Sequence, residues 1–327
     1  KKPEWQQDRF ERLKAQRLRQ FENAARQSPY QQVVAELPRM LNLENPGLKA
    51  HEAATKAATM AAVADHAQAV MGQLHLRMMV DGNFSEDDAR SLAEVVTTTL
   101  PTVTERRSPS QFISHLPVGT VVREIDAEHD DSAVLLYVQS AVKGLQARVA
   151  MGLSAQMLSA DFYHQLRTQK QLGYVVSASV YPQREVAGMI FLVQSPVMDP
   201  ASVQAEINAY IQQWLKTGVD EASFEKHKAG LLLRLAEQPE NLWDAASRHW
   251  QDLLDDYLKF NSRDLLVQAL TDLSYADWLA VTQRDLGAAQ RALLVYNAGK
   301  WPQSQPKGKP SGEPAQFKEA LPFYRFE

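Results

Sequence analysis

The residues best able to grip and polarise a substrate crowd into one stretch, Phe162-Tyr163-His164-Gln165-Leu166-Arg167-Thr168-Gln169-Lys170-Gln171-Leu172-Gly173-Tyr174. It reads as a helix end packed with hydrogen-bond donors that runs straight into a strand. An arginine offers a rigid fork of N–H groups for carbonyl oxygens, and a phenol offers a neutral O–H to an oxygen gathering negative charge. By residue type alone the ordinary reading is structural: Arg167 is a cation favoured at a helix C-terminus, and Tyr174 a half-buried strand residue. Gln171 and Gly173 then shape the turn, with Gly173 as the left-handed residue just past the helix.

Other chemistries find less support. Zinc-dependent peptide hydrolysis needs two histidines four residues apart on one helical face, with a carboxylate beside them to activate water. Among the eight histidines, His51 is followed by Glu52 but has Thr55 at the fourth position, and His66, His75, His115, His129, His164, His227 and His249 also lack the partner. They read as surface or packing residues, although a pair distant in sequence could converge in space. No Gly-x-Ser-x-Gly elbow occurs, and Gly152-Leu153-Ser154 falls inside a helical pattern. Neither a phosphate-cradling Gly-x-x-x-x-Gly-Lys-Ser/Thr loop nor Gly-x-Gly-x-x-Gly is present. The absence of cysteine removes disulfides, thiol nucleophiles and Cys-ligated metals.

The chain that must position these residues has 327 residues, 45% of them hydrophobic, enough for a sizeable core and about two domains of roughly 150 residues. A net charge of −4 supplies no field toward nucleic acid or an anionic membrane. The longest apolar runs, residues 186–193 and 133–138, fall far short of the ~20 residues that span a bilayer, so the chain is expected to be soluble. Lys1-Lys2-Pro3-Glu4-Trp5 is not followed by an apolar run and so does not read as a secretory signal; one could lie upstream.

Residues 4–26 read as one helix, with Phe10, Leu13, Leu18 and Phe21 on one side and a mixed charged face rich in arginine. A second helix opens at Ser28-Pro29 and fades by Leu43, and Ala-rich residues 52–73 read as a third. Residues 74–80 alternate like a short strand before Asp81-Gly82-Asn83, and Ser85 caps the next helix. Periodicity dissolves over residues 100–119, which places a domain boundary near residue 110.

Strands are expected at 120–125 and 133–140, then a long helix carrying Leu145, Val149, Leu153, Met157, Phe162 and Leu166. Strands at 174–181 and 186–194, separated only by Pro182-Gln183-Arg184-Glu185, form an antiparallel hairpin, which excludes a plain parallel Rossmann sheet. Three to five helices follow Pro200, with restarts near Gly218, Pro239 and Asn261; one carries Leu242, Ala246, Trp250, Leu253 and Tyr257. A last strand covers 291–297, residues 300–314 are expected to be mobile, and residues 317–326 to dock again. The fold class is α+β, a mixed, largely antiparallel sheet packed against several helices.

The stretch ending at Tyr174 closely resembles a motif of the C-terminal half of the pitrilysin and insulin-degrading enzyme family of zinc metallopeptidases. Phe162, Leu166, Arg167, Gln171, Leu172, Gly173 and Tyr174 carry the resemblance. Ser28-Pro29-Tyr30, Gly82-Asn83 followed by Ala89, and Val193-Gln194-Ser195 extend it over nearly the whole chain.

The resemblance implies four related α+β units in two halves that close around a peptide. Residues 1–109 would complete the third unit, and 110–327 would be the fourth, ending in a flexible tail. Zinc would be bound by the N-terminal half of the same polypeptide, in its His-x-x-Glu-His motif, and not by these residues. The substrate would be a peptide or small protein, with Arg167 on a carbonyl and Tyr174 on the transition state; this segment alone would be inactive. The cysteine-free composition resembles bacterial members, which implies a periplasmic address. Two other readings stay open: a non-catalytic chamber-forming homologue or partner subunit, and a helical interaction module using the basic N-terminal helix.

Overall fold

The computed structural model describes residues 5–72, 74, 76–100 and 110–326. Helix α1 (Gln7–Ala25) buries only Phe21 of its expected stripe, and Leu13 stays exposed. Helix α2 (Pro29–Leu41) opens with a capping box between Ser28 and Gln31 and with proline at its first position, which needs no N–H partner. The single helix expected over residues 52–73 is instead two, α3 (Leu48–Ala57) and α4 (Met60–Met71). Ala58 turns extended, and the Thr59 side chain caps α4 by accepting the Ala62 N–H.

The strand expected over residues 74–80 is not formed at Leu74 or at residues 76–80; His75 lies outside the described residues. Arg77, within that stretch, pairs with Asp256 and donates to the Leu253 carbonyl at 3.0 Å. Helix α5 (Glu86–Thr99) begins as expected, at a capping box of Ser85 and Asp88.

The remaining elements are β1 (Gln111–Ser114), β2 (Gly119–Ile125), β3 (Ser132–Lys143), α6 (Leu145–Tyr163), β4 (Val175–Val180) and β5 (Val186–Ser195). Helices α7 (Pro200–Thr217), α8 (Glu221–Ala236), α9 (Leu242–Leu254), α10 (Ser262–Asp272) and α11 (Tyr275–Leu286) follow. The chain closes with β6 (Arg291–Asn297), β7 (Lys309–Pro310), α12 (Pro314–Glu319) and β8 (Phe323–Phe326).

The main sheet runs β4-β5-β3-β6-β2-β7. Its pairs from β4 to β6 are antiparallel, and β2 runs parallel to both β6 and β7, so the sheet is mixed and largely antiparallel. Both faces are covered. Val134, Leu136 and Val138 meet Met151, Leu158 and Phe162 of α6, while Leu135 and Tyr137 meet Val33, Leu37 and Met40 of α2. Burial on both sides explains why β3 and β5 read as continuous apolar runs rather than alternating ones. Beyond α6, Leu153, Phe224, Leu231, Leu270 and Trp278 form a further helical core.

Two connections depart from expectation. Within residues 100–119, β1 pairs antiparallel with β8, a contact between segments some two hundred residues apart that no local pattern announces. The expected domain boundary adjoins residues 101–109, which lie outside the described residues; α2, on its N-terminal side, shares a core with the sheet.

Residues 300–314, expected to be mobile, are tied down. Gln204 exchanges hydrogen bonds with the Lys307 backbone at 2.7 and 2.6 Å, and β7 extends the sheet. Past that tie, Phe317 and Phe326 are buried, as the docking of the last segment requires. Polar and Pro/Gly-rich composition marks loops, and loops held by side-chain hydrogen bonds share it.

Candidate substrate-contacting site

Helix α6 delivers the site. Near its end Phe162 is fully buried, edge-on to Phe191 at 5.4 Å and to Tyr210 at 5.1 Å. The Tyr210 hydroxyl, pushed to higher pKa by burial and then by Asp161, donates to the Leu158 carbonyl at 3.0 Å or the Asp161 carboxylate at 3.1 Å. The helix then widens into a π-helical turn, His164–Gln169, which holds Arg167. Such turns recur at functional sites because the extra residue per turn re-aims side chains.

The exit from the turn differs from expectation in one respect. The left-handed residue is Gln171, at φ 52°, and not Gly173. The Lys170 N–H donates to the Gln165 carbonyl at 2.9 Å and the Leu172 N–H to the Leu166 carbonyl at 3.0 Å. With Leu166 and Leu172 both buried, the turn is pinned from inside. Gly173 is required for another reason: a Cβ there would collide with the backbone of Gln194.

Arg167 sits half-buried between these anchors. It forms no ion pair among the described residues, and its Nε is shielded from solvent without an acceptor. Its guanidinium lies 6.0 Å from the centre of the Tyr163 ring, at the outer limit of a cation–π contact. That Nε–H is one of the few buried side-chain polar groups among the described residues that the fold leaves unsatisfied.

Tyr174, just before β4, is 60% exposed. Its oxygen accepts a hydrogen bond from Gln194 Nε2 at 3.2 Å, and its own O–H has no acceptor among the described residues. Gln194, fully buried, also accepts the Tyr30 N–H at 3.0 Å and donates to Asp131 Oδ2 at 2.8 Å. Three of the strings that carry the resemblance, those around Tyr30, Tyr174 and Gln194, therefore meet in one cluster. Residue types alone give Gln194 and Asp131 no role. The string Val193-Gln194-Ser195 was the one available signal, and Tyr30 lies 164 residues away. Among the described residues, no group of three or more His, Asp or Glu is arranged to hold a metal ion, so they offer no ligand set for zinc.

Residues 153–250, which include this turn, match the family described as PQQ synthase PqqF-like, C-terminal lobe domain 4. The chain is 26% identical over 303 residues to the insulin-degrading enzyme of Drosophila melanogaster, covering 88% of this chain and 30% of that protein. To the insulin-degrading enzyme of Homo sapiens it is 23% identical over 280 residues, covering 82% and 27%. It thus spans less than a third of the length of these relatives. The crystal structure of pitrilysin superposes with a TM-score of 0.87 over 97% of this chain and 35% of that one, at 20% identity. A structure titled peptidase M16 inactive domain from Pseudomonas fluorescens gives 0.64 over 94% and 73%, at 16% identity.

Proposed function

We propose that this chain, a C-terminal segment of the pitrilysin and insulin-degrading enzyme family of peptidases, is the half of a zinc endopeptidase that holds the substrate without holding the metal. Residues 1–109 then complete the third family unit and 110–327 form the fourth. The zinc belongs to the N-terminal half of the same polypeptide. The two halves enclose a peptide or small protein, and likeness to bacterial members supports a periplasmic address.

In this reading Arg167 fixes a peptide carbonyl through charge-assisted hydrogen bonds. Tyr174 donates its O–H to the oxygen that becomes negatively charged as water adds to the scissile carbonyl. A donor fixed before the reaction stabilises that charge at little reorganisation cost. The single observation that supports this is the state of the two side chains at either end of one turn: among the described residues, Arg167 Nε lacks an acceptor, and so does the Tyr174 O–H.

The experiment supplies zinc and a fluorogenic peptide to this chain alone and to the same chain together with its upstream half. Hydrolysis is expected only in the second case. Hydrolysis by the isolated chain would overturn the reading, because the metal and the nucleophile would then have to lie within it. The solved neighbour titled an inactive domain favours a second reading, a segment that only walls the chamber. Substitution of Arg167 and Tyr174 in the joined protein without effect on cleavage would select it.

A further inference from the structure

We infer that Gln194 is a positioning residue for Tyr174, occupying the phenol oxygen as an acceptor so that the phenol O–H points outward to the substrate. The inference rests on Tyr174 acting as a donor, as proposed above, and adds how the fold sets the direction of that donation.

The geometry is over-determined. Gln194, the penultimate residue of β5, is paired on both sides, opposite Ala133 of β3 and Val175 of β4. Its side chain is fully buried, and all of its hydrogen-bonding groups are engaged: Oε1 takes the Tyr30 N–H, and Nε2 supplies one hydrogen to Asp131 and one to Tyr174. The reversed amide would set its oxygen against the Asp131 carboxylate and its NH2 against the Tyr30 N–H, two repulsive contacts in place of two favourable ones. The amide therefore has one stable orientation, and in it Gln194 can only donate to Tyr174.

A phenol rotor has few favourable directions. With one lone pair held by Gln194 Nε2, its hydrogen must turn elsewhere, and no other acceptor for it stands among the described residues. Asp131, the carboxylate of this network, receives the other Gln194 hydrogen and forms no hydrogen bond with the phenol. The Tyr30 contact ties the arrangement to the start of α2, on the opposite side of the expected domain boundary.

The test uses the full-length enzyme. Gln194→Glu reverses the polarity: the new carboxylate accepts the Tyr174 hydrogen and turns the donor inward. It also faces Asp131, and two carboxylates at that separation favour sharing a proton. The expected result is a kcat tenfold or more below wild type near neutral pH, with KM within about threefold. Activity is expected to recover partly as pH falls and the facing carboxyl pair takes up a second proton, which frees the introduced O–H to donate to the phenol oxygen. Gln194→Met, close in volume but unable to donate, is expected to lower kcat at every pH.

Combined with Tyr174→Phe, either substitution should cause no further loss, because the group it positions is already gone. A Gln194→Glu loss that is independent of pH, or losses from either substitution that multiply with that of Tyr174→Phe, would show Gln194 to be merely structural and would overturn the inference. If Tyr174→Phe alone leaves cleavage unchanged, the donor role of Tyr174 fails and the inference fails with it, an outcome distinct from the first.

Discussion

The backbone carbonyl of Gln194 occupies the space a side chain at position 173 would need: a Cβ built on Gly173 overlaps that oxygen and falls 3.3 Å from the Ser195 Cα. The turn from α6 thus presses backbone to backbone against the end of β5, one residue before Tyr174. The Ser195 hydroxyl reinforces the contact by donating to the Leu172 carbonyl.

Gly173→Ala must separate these backbones, since neither belongs to a flexible side-chain end. The expected cost is on the order of 1–3 kcal/mol, as for other overpacked sites. Because Tyr174 follows directly, peptide cleavage should fall along with the thermal midpoint. Wild-type melting and cleavage in this variant would show that the approach is not tight.

Arg167 should separate activity from stability. It supports no ion pair within the described residues, so Arg167→Ala is expected to change folding stability by less than about 0.5 kcal/mol while lowering kcat/KM tenfold or more. Arg167→Lys keeps the charge but loses the planar fork, and should recover only part of the loss. Denaturant titration beside peptide kinetics checks this; stability falling in step with activity would make Arg167 a structural residue.

How much of this was legible in the sequence follows the range of the interactions. The Ser85 cap, the proline-led start of α2, the β4–β5 hairpin and the helix restarts near Gly218, Pro239 and Asn261 are written in neighbouring residues, and each is found. The break at Thr59 was hidden because alanine-rich sequence on both sides favours helix, leaving one threonine cap to mark it. The pairing of β1 with β8 and the bond from Tyr30 to Gln194 join distant segments and have no local signature. At the site, the motif identified Arg167 and Tyr174 as residues, but neither the π-helical turn nor the left-handed Gln171 follows from residue type.

A pH-dependent component of stability is expected at His115. Its Nε2 is buried without a partner, and its ring lies 4.7 Å from that of Tyr324. Burial, and then the charge of Arg291, hold the imidazole below its ordinary value of 6.5. The unfolded chain therefore takes up this proton before the folded one does. Stability from this group is fully present above about pH 6.5 and is lost as pH falls from there through the lower folded value. His115→Phe should flatten that part of the profile, and chemical denaturation at about pH 7.5, 6.5 and 5.5, bracketing the ordinary imidazole range, would reveal it. An unchanged slope would place the titration elsewhere.

The most direct test of the central claim is Tyr174→Phe in the full-length enzyme, with kcat/KM measured on a peptide and zinc content measured in the same preparation. The substitution deletes one oxygen and leaves the ring. If the phenol O–H stabilises the transition state, kcat/KM falls tenfold or more, about 1.4 kcal/mol or above, at wild-type zinc content. Unchanged cleavage would contradict the claim and leave Tyr174 an exposed residue at the start of a strand.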